Sequence, residues 1–131
     1  MSATSLQGDR HAIRIGNISP SGKVEARVRR LIERVVAETF GIERAALRGR
    51  SRGRARVAFA RQVAMYLAHI ACGMSLTDVG RVFERDRTTV AYACEVVEDR
   101  RDEQNFDRVL DLLENILCEL VSSILRSGRW A

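Results

Sequence analysis

Three observations predict an all-α fold, a multi-helix bundle. The 131 residues hold one proline, and alternating runs of β-branched residues, the mark of half-buried strands, are scarce. Apolar residues instead recur every three or four positions through most of the chain after Pro20. Two capping signals, Ser75 and Asp86, divide one such stretch into a short helix, a tight turn and a longer helix. At this length one domain is expected, over residues 21–131, behind a polar, weakly patterned tail at 1–20 that reads as flexible.

Pro20 and Gly22 open the first helix. Val24, Val28, Leu31, Ile32, Val35 and Val36 repeat with helical period to about Thr39, and Gly41 can take the left-handed position that ends a helix. Phe40, Ile42, Ala46 and Leu47 predict a short helical turn packed on the core. From Arg48 to Arg56 runs R-G-R-S-R-G-R-A-R, with arginine at nearly every second position. Such runs are usually solvated loops. The functional reading is an arm for phosphates, or for a minor groove whose focused negative potential draws arginine. The next helix spans Val57 to Cys72, with Val57, Ala60, Ala64, Leu67, Ala68 and Ala71 in its buried stripe and Gly73 closing it. Arg61 and Gln62 fall in its first turns, where side chains can reach a phosphate. Either an exposed pair or a phosphate contact fits them.

Ser75 can cap the following short helix, with Asp78 three residues on to complete a capping box. Leu76, Val79, Val82 and Phe83 share its apolar face. Asp86 can cap the second helix by accepting a backbone N–H bond from Thr88 or Thr89. There Val90, Cys94 and Val97 share one face, while Thr88, Ala91, Tyr92 and Glu95 point the other way and Arg87 stands at the tip. Two helices joined so closely, the second polar and basic at its N-terminus, make a helix-turn-helix candidate. A long amphipathic helix follows from Asn105 to Arg126. Its apolar side is Phe106, Val109, Leu110, Leu113, Ile116, Leu117, Leu120, Val121 and Ile124, with Asp107, Asp111, Glu114 and Glu119 mostly off it. Core packing is the default for that stripe. Its last apolar turns, Val121 to Leu125, could instead pair two copies as a homodimer or dock another protein. Trp130 falls beyond the expected helix end.

The net charge is +5 and the isoelectric point about 9.8, which suits a polyanion. Between Gly41 and Arg61 lie seven arginines and one acid, whereas acids outnumber bases between Glu95 and Glu119, so the charge has a front and a back. Lys23 is the single lysine; guanidinium suits bidentate contact to phosphate or guanine. Cys72, Cys94 and Cys118 form no C-x-x-C pair and read as buried free thiols of a reducing cytosol. Neither His69 nor His11 has a second ligand set, so a metal is excluded. No run of about 18 apolar residues could span a membrane. Phosphate-loop, dinucleotide, zinc-hydrolase and nucleophile-elbow motifs are absent, and the acids read as scattered surface groups without tuning partners. No enzyme, cofactor or small-molecule substrate is expected.

R-Q-V-A-M-Y-L-A from Arg61, S-L-T-D-V-G-R-V-F from Ser75 and R-D-R-T-T-V-A-Y-A-C from Arg85 resemble, in order and near the family's spacing, the C-terminal DNA-binding domain of the bacterial replication initiator DnaA. The resemblance begins at about Val24 and runs into the final helix. It implies the TrpR-like bundle of that domain, a recognition helix in the major groove of a DnaA-box-like duplex, and a basic loop in the adjacent minor groove. Carried over by position, Asp86, Arg87, Thr88 and Thr89 become base-contact candidates. Arg61, Gln62 and Ser75 become phosphate contacts. Arg52 or Arg54 becomes the minor-groove arginine, with Arg50 and Arg56 nearby. Regulation of transcription or of replication initiation, in the cytoplasm at the nucleoid, follows as the expected role. The family's ATPase module is absent from the 131 residues, so a stand-alone binding protein is expected. The turn is about one residue short, with Glu84 where the family often has paired glycines, and Arg87 replaces the usual histidine. Glu95 and Val96 take positions often basic in the family; Glu95 lies about 12 Å along the helix from Arg87.

Overall fold

The structure, a computed structural model, describes residues 22–49 and 55–130, the last four by their backbone alone. The tail expected at 1–20 lies outside the described residues, as do Arg50, Arg52 and Arg54 of the basic run. Among the described residues six helices follow one another: α1 (Gly22–Phe40), α2 (Arg44–Arg48), α3 (Ala55–Ile70), α4 (Leu76–Phe83), α5 (Arg87–Arg100) and α6 (Gln104–Trp130). No strand occurs among the described residues. The long helix runs past its expected end and takes in Trp130.

The bundle is assembled around α3, which packs on α1, α2, α4 and α5. Residues Val63 to Ala68 are all buried. A helix apolar around its circumference belongs inside a protein. The single stripe expected for α3 is therefore only part of its buried surface, and Met65 and Tyr66 complete it. The inner face of α1 contributes Val28, Ile32 and Val36, and that of α6 Leu110, Leu113, Leu117 and Val121. Gly41 and Gly73 have the positive φ expected of helix-ending residues. All three cysteines are free, but only Cys72 is fully buried. Burial pushes the Cys72 thiol up to about 12 and that of Cys94 to about 11.

The acids are not the scattered surface groups expected from composition. Glu25, Glu33 and Glu114 are buried. Each is met by arginine, because an unpaired buried carboxylate would be far too costly. From α4, Arg81 grips Glu25 of α1 with two bonds of 2.8 Å. Arg29 and Arg48 close on Glu33 at 2.8 and 2.9 Å. Arg101, at the end of α5, donates to Glu114 at 2.6 Å, to Asp111 at 2.7 Å and to the Tyr66 hydroxyl at 3.0 Å, and also pairs with Asp107. The Tyr66 hydroxyl in turn donates to Glu98 at 2.8 Å. One guanidinium thus ties α3, α5 and α6 together.

Ser75 caps α4 as expected, accepting the Asp78 N–H at 3.0 Å. The Asp78 carboxylate turns to Arg81 at 3.2 Å. The turn into α5 is very close. A Cβ at Gly80 would stand 2.6 Å from the Arg85 carbonyl oxygen, which as backbone cannot step aside. Glu84 ends α4 in the left-handed region (φ 59°, ψ 49°), strained for a residue with a side chain. Asp86 holds the N-cap position of α5, but its side chain makes no capping hydrogen bond, contrary to expectation. The extended backbone at Asp86 starts the helix unaided, its carbonyl accepting from the Val90 N–H at 3.1 Å.

Two predictions follow from this packing. Arg101→Ala, which strands Glu114, should cost on the order of 3–5 kcal/mol in urea unfolding, with Arg101→Lys recovering only part of it. Gly80→Ala should lower stability by about 1–3 kcal/mol through overpacking, while Glu84→Gly should raise it by up to about 1 kcal/mol; equal midpoints for all three chains would refute the geometry of the turn.

Candidate nucleic-acid interface

Burial sorts α5 into two sides. Val90, Ala93 and Val97 face the core, with Cys94 half-buried beside them. Asp86, Arg87, Thr88 and Thr89 are all exposed, at the N-terminal tip of the helix. The side chains of Thr88, Tyr92, Glu95 and Asp99 recur at helical spacing along the outer face. Tyr92 is 62% exposed, one turn beyond Thr88. Helical spacing puts it on this face, and no motif gives it a role. The short α4 lies across α5, fixed to α1 through Arg81 and through the 2.6 Å bond from the Arg29 guanidinium to the Val82 carbonyl.

Arg61 is half-buried and already engaged. Its Nε donates to the Leu47 carbonyl at 2.9 Å, and its Nη2 to the carbonyls of Ala46 and Gly49 at 3.2 and 2.8 Å. These carbonyls end α2, where the backbone leaves oxygens without intrahelical partners. The side chain expected to reach a phosphate therefore also anchors the root of the basic loop. Burial, and then the like charge of Arg85, holds its pKa below the usual arginine value. Arg29, Glu33, Leu47, Arg61, Phe83 and Arg85 line one recess, so the loop root and the turn before α5 share a wall. Sequence pattern gives Arg85 no role, although it opens the R-D-R-T-T run.

The remaining candidates divide. Arg56 is exposed, with Nη1 on the Phe40 carbonyl at 3.1 Å, which fixes the far end of the loop to α1. Gln62 is half-buried and Ser75 exposed at the start of α4. Arg50, Arg52 and Arg54 fall outside the described residues, between these two anchors. His69 is half-buried, and since a carbonyl can only accept, its Nδ1–H donates to the Met74 carbonyl at 2.7 Å. No group of three or more His, Cys, Asp or Glu that could hold a metal ion occurs among the described residues. None of the described helices is long and apolar enough to cross a membrane.

Comparison with known proteins agrees with this geometry. A family model described as the bacterial DnaA protein helix-turn-helix matches residues 30–97, just over half of the chain. The chromosomal replication initiator protein DnaA of Lachnoclostridium phytofermentans is 36% identical over 98 residues, covering 73% of this chain and 21% of that protein. That of Synechococcus sp. is 42% identical over 85 residues, 63% of this chain and 18% of that protein. The chain thus spans about a fifth of the length of these relatives. A solved structure described as a DNA replication initiation factor superposes with a TM-score of 0.66 at 28% identity, covering 76% of this chain and 30% of that one. A helix-turn-helix with the outer face of its second helix exposed, the family match across it and the same fold in a solved relative lead to one assignment: the chain belongs to the bacterial DnaA helix-turn-helix family.

Proposed function

We propose that this chain binds duplex DNA sequence-specifically at a DnaA-box-like site and so regulates transcription or replication initiation at the nucleoid, with no nucleotide hydrolysis assigned to these residues. The observation that carries the reading is the tip of α5. Four polar or charged residues from Asp86 to Thr89 are exposed there, and the Asp86 carboxylate is not used as a cap. A carboxylate so placed can accept from cytosine N4. Arg87 can fork onto guanine N7 and O6, and the Thr88 methyl can meet a thymine methyl. Thr89 approaches base or backbone. Each good bidentate pair discriminates by roughly 1–3 kcal/mol. Since Asp86 makes no capping bond, its replacement should change specificity far more than stability.

The loop supplies affinity. Arg50, Arg52, Arg54 and Arg56 are the minor-groove candidates, with Gln62 and Ser75 on phosphates. Arg61 holds the loop root, and the like charges of Arg61 and Arg85 are relieved when a phosphate oxygen comes between them and solvent. With about five phosphates neutralised, the slope of log K against log salt is near −4 to −5.

A second reading is favoured by one observation on α6. Val109, Leu112, Ile116 and Leu120 are 38, 58, 37 and 40% exposed, at helical spacing and off the core face. The apolar surplus is therefore on this stripe and not at Val121, which is buried. An antiparallel pair of such helices would bring Arg108 of each copy near Glu119 of the other, both exposed. In this reading the helix forms a homodimer.

Arg87→Ala should relax base preference in selection from random duplexes, and Arg54→Ala should weaken binding and flatten its salt dependence by about one unit of slope. Identical selected sites and affinities for both variants would refute the groove assignment. Leu112→Asp should abolish any concentration-dependent increase of mass in sedimentation; a wild-type chain that stays monomeric at every concentration removes the dimer.

A further inference from the structure

The charges of α1 are segregated. Its acids Glu25 and Glu33 are turned inward, buried and held by Arg81, Arg29 and Arg48. Its outward side carries Lys23, Arg27, Arg30 and Arg34, all exposed, at spacings of four, three and four residues. At 100° per residue these lie within one narrow arc, opposite Val28, Ile32 and Val36. Among the described residues no ion pair or hydrogen bond reaches any of the four. The nearest exposed acid on the helix, Glu38, stands at its end, where Arg34, Glu38 and Arg44 border one shallow depression.

Like charges at three- and four-residue spacing destabilise a helix. Ordinary surface helices relieve this by interspersing acids. Here two of the three acids of α1 are withdrawn into the core and only Glu38, one turn beyond Arg34, is left outside, so the repulsion among Lys23, Arg27 and Arg30 persists at the surface. None of these four residues belongs to the recognition tip, the basic loop or the recess beside Arg85.

We propose that the outward face of α1 is a second binding surface for the phosphate backbone of DNA, separate from the helix-turn-helix. The row extends about 16 Å, a length over which a duplex carries roughly ten phosphates. Three of its four cations are guanidinium groups, which grip phosphate oxygens two at a time. With no donor set shaped for a base edge, the face contributes affinity and no sequence preference. The phosphates come either from the flank of the bound duplex or from a second duplex, which the chain then bridges. The inference rests on DNA as the partner but is independent of base reading by α5.

The test uses the full chain and its triple variants Arg27→Glu/Arg30→Glu/Arg34→Glu and Arg27→Gln/Arg30→Gln/Arg34→Gln, their folding checked by circular dichroism. Binding is measured against salt on a duplex of about one helical turn (roughly 10 base pairs) and on one extended by about a turn at each end. Capture of a second, differently labelled duplex by protein bound to an immobilised first one is measured in parallel. The expected result is a loss of about 2–3 in salt slope for the variants, with selected base preference unchanged. A loss confined to the extended duplex assigns the face to flanking DNA; a loss of second-duplex capture assigns it to bridging. If both triple variants match the wild type in slope on both duplexes and in capture, the proposal is overturned, and binding of the wild type alone to anionic vesicles would then assign the face to a lipid surface instead. Should the wild type select no base sequence while the variants still lose slope, base reading by α5 fails and the α1 surface stands.

Discussion

The direction in which the recognition helix points is set by a contact that leaves no room for a side chain. The backbone of α4 at Gly80 meets the Arg85 carbonyl closely enough that even a methyl group would collide with it. The Arg85 N–H closes the same turn by donating to the Gly80 carbonyl at 2.9 Å. Between them Glu84 takes a left-handed conformation. So tight a turn is accommodated by local strain at Glu84 and by the missing Cβ at Gly80. Everything on α5, from the exposed tip to the buried Val90, takes its direction from this point.

Rigid placement of that turn depends on charge pairs that are only partly exposed. Arg81 and Arg29 fasten α4 to α1, and Arg101 fastens the far end of α5 to α3 and α6. Such pairs add little net stability against a well-packed apolar alternative, but breaking one partner is costly. They make the relative setting of the helices discrete. In the proposed function α5 reads base edges, which requires it to be held within a fraction of an ångström, and this ionic framework supplies that setting from outside the contact face.

The same framework divides the arginines by task. Arg29, Arg48, Arg61, Arg81 and Arg101 are committed to carboxylates or carbonyls within the domain. Arg87 at the tip and Arg27, Arg30 and Arg34 on α1 are exposed to solvent. Composition cannot separate these two groups, because a guanidinium is the same group in either place. The net positive charge available to a polyanion is accordingly more localised than the arginine count suggests.

Periodicity alone determined the helices, their order and the division of α5 into a buried and an exposed side, because helical spacing and caps are local properties. The motif run from Arg61 to Cys94 likewise carried the family. What only the tertiary structure decided was which polar side chains are already engaged. Arg61 lies 12 to 15 residues from the carbonyls it holds, Arg81 56 from Glu25, and Arg101 35 from Tyr66. The burial of Glu25, Glu33 and Glu114 and the shift of the exposed apolar stripe on α6 from Val121 to Leu112 depend on which helix lies opposite. Local pattern establishes the face of each helix, but only packing between distant segments establishes what that face meets.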